Sequence, residues 1–414
     1  MAAPKLVLGE RIRLGCDSLA HRGLGLGRFQ GMVVFLFGAL PGEEVTAVVT
    51  RVHARHAFAD TVEVHRSAPE RVEPTCPHFG TCGGCQLQHA AYPLQLRAKA
   101  AVLKEALTRR GIEMPGATDA VGSREQWRYR WRGEFHLDST GARMGFTSRQ
   151  GHRVVAIDDC PIHHPALTGL LPALGRALEN AHEGVQTVHL TVGSQGREVL
   201  LQTRPSPAAG EALAVALGGQ PGPAVTIEST ELTYRGRQFR VFSDSFIQVN
   251  QGSLEDLYET VIDWLRPSLP GAQVVDAYGG SGVLSLRLVD EGAEVTVVES
   301  NPISARLCQL HGEMYAPGRL TVRCGPVEEL LSTVDKPAVV VLDPPRSGLA
   351  PQVTGWLSLA GPPLVAYLSC EVSTLARDLE ALCRLGPYRL ERLRLVDMFP
   401  QTYHFEVVAL LRRS

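Results

Sequence analysis

The chain has 414 residues, 44% of them apolar and 20% charged, which supports more than one hydrophobic core and excludes a disordered polymer. Its 41 Lys and Arg against 43 Asp and Glu give a formal charge of −2, which taken alone argues against a polyanionic partner. The total hides a split: residues 1–160 carry 21 basic and 16 acidic side chains, and residues 161–414 carry 20 and 27. Such an asymmetry is a better pointer to a polyanion than the sum is. No basic stretch followed by an apolar run opens the sequence, and the longest apolar run, 32–40, falls far short of the ~20 residues of a membrane helix. The expectation is a cytoplasmic chain that makes no membrane contact. Nine cysteines fit a reducing compartment, where clustered thiols serve metals or catalysis.

In chain order, residues 1–66 read as all-β. Short apolar runs at 32–37 and 44–49 are separated by Gly-rich and Pro-Gly turns, and a closed barrel of about five strands is the natural solution. Residues 67–88 lose all periodicity and carry Pro, Gly and Cys. Leu96, Ala100, Leu103 and Leu107 then recur at helical steps, so a helix is expected over 92–110, stopped by Gly111. Residues 125–241 read mostly as strands. After residue 250 the pattern alternates: a helix at 254–265, then strands at 273–276, 294–299, 338–343, 364–369 and 407–411. Continuous apolar strands alternating with helices imply a parallel sheet covered on both faces, hence an α/β fold. The expected domains are 1–66, 67–245 and 246–414.

Several motifs carry chemistry. Asp276-Ala-Tyr-Gly-Gly-Ser-Gly282 joins the strand at 273–276 to a helix, and its glycines permit a tight turn and close approach of a ligand. Glu299 ends the next strand, 20 residues after Gly279, where a carboxylate reaches ribose hydroxyls. The pair indicates an adenosine-containing cofactor, nicotinamide or S-adenosylmethionine, without choosing between them. Asp343-Pro-Pro-Arg346 follows a buried strand, either as part of the binding crevice or as a rigid turn. Cys370 ends the strand at 364–369 just before a helix, a place where a thiol pKa can fall. Glu406 precedes the strand at 407–411, where partial burial can tune a general base. Cys76, Cys82 and Cys85, with Cys160 far downstream, have a three-plus-one spacing that favours an iron–sulfur cluster over structural zinc. Residues 127–132, WRYRWR, alternate strictly. As a strand they would set three aromatics against three arginines, the arginines facing either water or RNA phosphates; RNA is favoured, because residues 97–153 hold 12 basic and 6 acidic side chains.

Together these motifs resemble the family of S-adenosylmethionine-dependent RNA 5-methyluridine methyltransferases, over nearly the whole chain. The amino-terminal segment is similar to a TRAM domain, an OB-like RNA-binding barrel. The stretch from Cys76 to His89 resembles the family's cluster motif, completed by Cys160. Gln248-Val-Asn250, Asp343-Pro-Pro-Arg346, Ser369-Cys370 with Thr374-Leu-Ala-Arg-Asp378, and Phe399-Pro-Gln-Thr402 with His404 and Glu406 resemble its cofactor and active-site signatures. Glu371-Val372 stands where the family often has Asn-Pro, and Gly279 and Val283 where it often has Cys and Asn. The resemblance implies a class I, Rossmann-like methyltransferase domain behind a TRAM barrel and a central, mainly-β iron–sulfur domain. It implies Cys370 as nucleophile, Glu406 as base, and Gln248, Tyr278, Glu299 and Asp343 as contacts to S-adenosylmethionine. It makes Cys76, Cys82, Cys85 and Cys160 ligands of a [4Fe–4S] cluster. The implied reaction is methylation of carbon 5 of a uridine by a monomer, in 23S ribosomal RNA or alternatively in tRNA; a non-catalytic RNA-binding iron–sulfur protein is the rival reading.

Overall fold

The computed structural model describes residues 6–117, 119–138, 143–151, 153–181, 184–218, 222–242 and 244–414. Residues 1–5, part of the amino-terminal stretch read above, lie outside the described residues. The chain divides into two compact units. One comprises Met1–Leu103, Phe146–Val155 and Phe399–His404, and the other Lys104–Gly145, Ala156–Met398 and Phe405–Ser414.

In the first unit six strands form one sheet in the order Arg11–Gly15, Glu44–Val52, His56–Arg66, Met32–Phe37, Leu24–Phe29, Ser18–Ala20. Alternate residues turn inward, so Ile12, Leu14, Val34, Leu36, Val45, Ala47 and Val49 make a core that excludes water. The first strand comes back against Leu24–Phe29 at Gly27. A Cβ there would sit 2.2 Å from the carbonyl oxygen of Gly15, so only glycine allows the approach that closes the barrel. The short Ser18–Ala20 strand is the one beyond the expected five. The expected helix is present as Tyr92–Arg109, and the division between the units falls inside it.

The second unit is built on an eight-stranded sheet ordered Leu320–Cys324, Glu294–Glu299, Gln273–Ala277, Val339–Leu342, Leu364–Ser369, Glu406–Arg413, Tyr388–Val396, Asp119–Val121. The first five are parallel, and Glu406–Arg413 runs antiparallel between two neighbours. The central strands are buried along their whole length, as expected for a sheet sandwiched by helices. The strand order reverses between Gln273–Ala277 and Val339–Leu342, and in a doubly wound sheet the ligand crevice opens beyond the carboxyl ends at that point. A second sheet pairs Arg132–Leu137, Val185–Val192, Glu198–Pro205 and Ala224–Thr226 in that order. Among the described residues three α-helices lie within the stretch read as strands: the short Pro165–Thr168, then Leu171–Ala181, whose Leu171, Leu174 and Leu178 form one apolar stripe, and Pro207–Leu217.

The WRYRWR segment corrects its own pattern. Residues 127–131 are not a strand; Arg128 adopts φ +58°. Its guanidinium makes two bonds to Asp159, at 2.6 and 2.7 Å. Arg132 is half-buried and donates to the carbonyl of Ser245 at 2.7 Å. The two arginines turn to different partners, so the alternating row of a strand does not form, and Arg128 with its ion pair stays at the surface. Among the described residues no helix is long and apolar enough to cross a membrane.

Candidate active site

The glycine turn begins where Gln273–Ala277 ends. Tyr278 takes φ +65° and donates its N–H to the carbonyl of Val298, turning the chain out of the sheet. At Gly279 a Cβ would lie 2.6 Å from Val297 Cγ1 and 3.1 Å from the Asp276 carboxylate, so the loop can lie this close to the sheet only without a side chain. Glu299 braces the turn: Oε2 accepts from Gly280 N at 2.9 Å and Oε1 from Asn301 N at 2.6 Å. Asp276 is buried and accepts from the hydroxyl of Ser285.

A cavity of about 330 Å³ opens beside this turn. Gln248, Tyr278, Gly280 and Asp343 line it, with Tyr258 and Phe246. Glu299 does not line it; its carboxylate reaches the region through the turn it holds. The Gln248 loop is fixed by Asn250, a fully buried residue. Its Oδ1 caps the Gln251–Leu265 helix by accepting from Ser253 N at 3.1 Å, and its Nδ2 donates to Ser123 Oγ and to the Met398 carbonyl, each at 3.1 Å. Burial pushes the Asp276 and Asp343 carboxyls up to about 7, and Glu299 adds to both shifts. A glycine turn, open backbone at Gly280 and carboxylates at the switch point fit an adenosyl compound carrying positive charge.

Cys370 and Glu406 come together through register. Ser369 pairs with Val407, so each of the two lies one position beyond the last pair, on adjacent strands at the same sheet edge. An antiparallel strand starts where its parallel neighbour ends, which is why a residue 36 positions later reaches the thiol. Glu406 is 4% exposed. Burial and then Asp343 raise its carboxyl well above the usual range, and Arg346 opposes them. Burial, Glu406 and Asp343 push the Cys370 thiol up to about 12, again against Arg346. The expectation of a lowered thiol is therefore corrected: desolvation and two carboxyl groups outweigh the helix start.

Thr374, Arg377 and Asp378 belong to a sequence signature whose work only the fold reveals. They clamp the loop after Asp343. Thr374 Oγ1 donates to the Arg346 carbonyl at 3.1 Å, and Arg377 Nη2 to the Ser347 carbonyl at 2.9 Å. Buried Asp378 accepts from Leu349 N at 2.8 Å and from the Tyr367 hydroxyl at 2.7 Å. A Cβ on Gly348, at φ +73°, would lie 2.5 Å from that carboxylate.

The cysteines fall in both units. Cys76, Cys82 and Cys85 lie in the first, in a chain of turns pinned by Cys82 N to the His78 carbonyl at 2.9 Å and Gly83 N to the Thr147 carbonyl at 3.0 Å. Burial, opposed by Gly84 N–H and reinforced by Cys76, raises the Cys82 thiol. Cys160 is buried in the second unit, with His163 Nδ1 3.2 Å from its sulfur. None of the four is in a disulfide. Among the described residues no three His, Cys, Asp or Glu side chains gather closely enough for a single metal ion. The three-plus-one pattern of these thiols is a spacing in the sequence, and it is that spacing which suits an iron–sulfur cluster.

The strand order and the crevice at its switch point define a class I methyltransferase fold. Residues 331–414 match the tRNA (Uracil-5-)-methyltransferase family model, and residues 6–62 match the TRAM domain. A 23S rRNA (uracil(1939)-C(5))-methyltransferase RlmD of Halomonas elongata is 36% identical over 97% of this chain and 89% of its own. An uncharacterized RNA methyltransferase of Thermosynechococcus vestitus is 32% identical over 98% and 99%. The crystal structure of the Pyrococcus abyssi tRNA (uracil-54, C5)-methyltransferase with S-adenosyl-L-homocysteine shares the fold, with a TM-score of 0.74 at 23% identity over 97% of this chain and 100% of that one. The chain belongs to the RNA (uracil-C5)-methyltransferase family.

Proposed function

We propose that this chain methylates carbon 5 of a uridine in 23S ribosomal RNA, using S-adenosylmethionine, with Cys370 as nucleophile and Glu406 as base. The reading rests on the register that sets Cys370 beside Glu406 at the mouth of a sheet whose switch-point cavity is lined by carboxyl groups. S-adenosylmethionine is a substrate, and it supplies a methyl group on a sulfonium. Gln248, Tyr278 and Asp343 hold it, and Glu299 serves it through the turn that it braces. Carbon 5 of uracil is a weak nucleophile. Addition of the Cys370 sulfur to carbon 6 moves the ring's electron pair onto carbon 5, which then takes the methyl group. Glu406 removes the carbon 5 proton, that C–H pair re-forms the ring double bond, and the carbon 6–sulfur bond breaks to return the thiolate. The base must leave its stack to reach the site, so unpaired loops are the substrate. RNA containing 5-fluorouridine has no proton for Glu406 to take and should trap an adduct; an adduct that still forms with Cys370→Ala removes Cys370 from the role.

The Halomonas relative's name supports ribosomal RNA. The family model and the Pyrococcus structure bear names that support tRNA as the second reading. Mapping 5-methyluridine in total RNA from a deletion strain separates the two. The TRAM barrel, within 1–66, and the central segment 67–245 serve RNA binding, and 246–414 serves catalysis, in a cytoplasmic monomer. Cys76, Cys82, Cys85 and Cys160 hold a [4Fe–4S] cluster that supports structure, since methyl transfer needs no electrons. Anaerobically purified protein is expected to carry iron and sulfide, and Cys85→Ser to lose them; a metal-free chain with full RNA affinity counts against the cluster. Labelled methyl transfer excludes the non-catalytic RNA-binding reading.

A further inference from the structure

The loop that leads into Glu406 is fastened to the segment that carries three of the cysteines. Within the first unit, the N–H groups of Gln86 and Leu87, which follow Cys85, both donate to the Gln401 carbonyl, at 3.1 and 2.9 Å. Gln95, 1% exposed, grips the same residue from the Tyr92–Arg109 helix. Its Oε1 accepts from Gln401 N at 2.9 Å, and its Nε2 donates to Gln401 Oε1 at 3.0 Å and to the carbonyls of Leu87 and Ala90 at 3.1 and 2.9 Å. One turn further along, Lys99 Nζ donates to the Phe399 carbonyl at 3.1 Å.

Phe399–His404 has no helix or strand of its own, so these bonds dictate its course. Gln401 is held at φ +69°, a region that a residue with a side chain enters only when its surroundings enforce it. Two residues past His404 the chain enters its antiparallel strand with Glu406. We propose that Gln95 and the Gln86–Leu87 backbone are the positioning support of the base: they enforce the left-handed turn at Gln401 and thereby set where the Glu406 carboxylate stands. The inference rests on Glu406 being the base. It gives the cysteine-bearing segment a task in the last chemical step as well as in stability.

The adduct forms through Cys370 before Glu406 acts and is resolved by Glu406, so a misplaced base has its own signature. The test uses the full-length, cluster-loaded enzyme and ordinary uridine RNA in single turnover. It reads the fraction of RNA held in a denaturation-resistant protein adduct. Gln95→Met and Gln401→Val are expected to slow release roughly 10–100-fold, with the adduct accumulating. KM for RNA should stay within about threefold. Glycine enters φ +69° without strain, so Gln401→Gly should release about tenfold faster than Gln401→Val. Glu406→Gln is the control. If it accumulates no adduct, the base assignment fails and takes this inference with it. If it does accumulate adduct while Gln95→Met does not, or while the Gly and Val variants at 401 release alike, the support is overturned. Should Gln95→Met not fold, the pair at 401 decides alone.

Discussion

A thiol pushed up to about 12 is almost wholly protonated at neutral pH, so Cys370 depends on whatever favours its thiolate. Among the charged groups acting on it, Arg346 is the one that does so, and it acts on Glu406 in the same sense. Removing that guanidinium takes away the charge that opposes burial and the carboxyl groups, and both raised values rise further. Activity needs a thiolate and then a carboxylate, so it climbs with pH, and Arg346→Met should move the climb to higher pH by about one unit. A kcat/KM profile against pH measures this; an unmoved profile with lower amplitude would show that Arg346 acts by contact rather than by charge. Strand-end position made Cys370 and Glu406 candidates in the sequence, and the family resemblance supplied their roles. The direction of the thiol's shift was not legible, because the carboxyl groups beside it arrive from segments 27 and 36 residues away. Arg346 escaped for the same reason: its effect belongs to the groups folded next to it.

At the scale of elements, the turn after Gln273–Ala277 and the loop after Val339–Leu342 are held by different means. Gly279→Ala places a methyl 2.6 Å from Val297 Cγ1. The turn must lift off the sheet, and affinity for S-adenosylmethionine should fall by about tenfold or more, as read by calorimetric titration. Asp378→Ala strips a buried partner from Leu349 N–H and the Tyr367 hydroxyl, and urea unfolding should report a loss of about 2–4 kcal/mol. A loss under ~0.5 kcal/mol would mean that water replaces the carboxylate. Four of the five parallel strands were readable because each is a short apolar run between turn residues; Leu320–Cys324 was not, an edge strand that carries Arg323 and has no buried residue. Tyr388–Val396 was not: its sequence YRLERLRLV mixes four charges into a strand that is only partly covered. The WRYRWR alternation misled because a period of two is a local pattern, while Asp159 and the Ser245 carbonyl, which claim Arg128 and Arg132, are remote. The role of Gln95 was invisible for the same reason, since Gln401 lies 306 positions further along the chain.

At the scale of the whole molecule, the formal charge of −2 averages a basic first part and an acidic second part, and the acid is concentrated where it matters. Asp276 and Asp343, raised to about 7, hold protons that an unfolded chain releases near pH ~4. Between these values the folded form binds more protons, so with the crevice empty these groups make stability fall as pH rises. A sulfonium in the crevice favours the ionised carboxylates. S-adenosylmethionine should therefore bind with proton release and more tightly as pH rises through 7, and neutral S-adenosylhomocysteine much less so. Titration in buffers of different ionisation enthalpy checks this, and identical proton release for both ligands would contradict it. Local patterns describe contiguous stretches, whereas Phe146–Val155 and Phe399–His404 join Met1–Leu103 through contacts that no local pattern records. The inserted strand Glu406–Arg413 also has a consequence in time. During synthesis the thiol emerges first and its partner carboxylate 36 residues later, and the sheet stays open between Leu364–Ser369 and Tyr388–Val396 until that strand arrives. A nascent chain on the ribosome is thus surrounded by RNA while still chemically inert, and one stopped after His404 should neither trap nor methylate uridine.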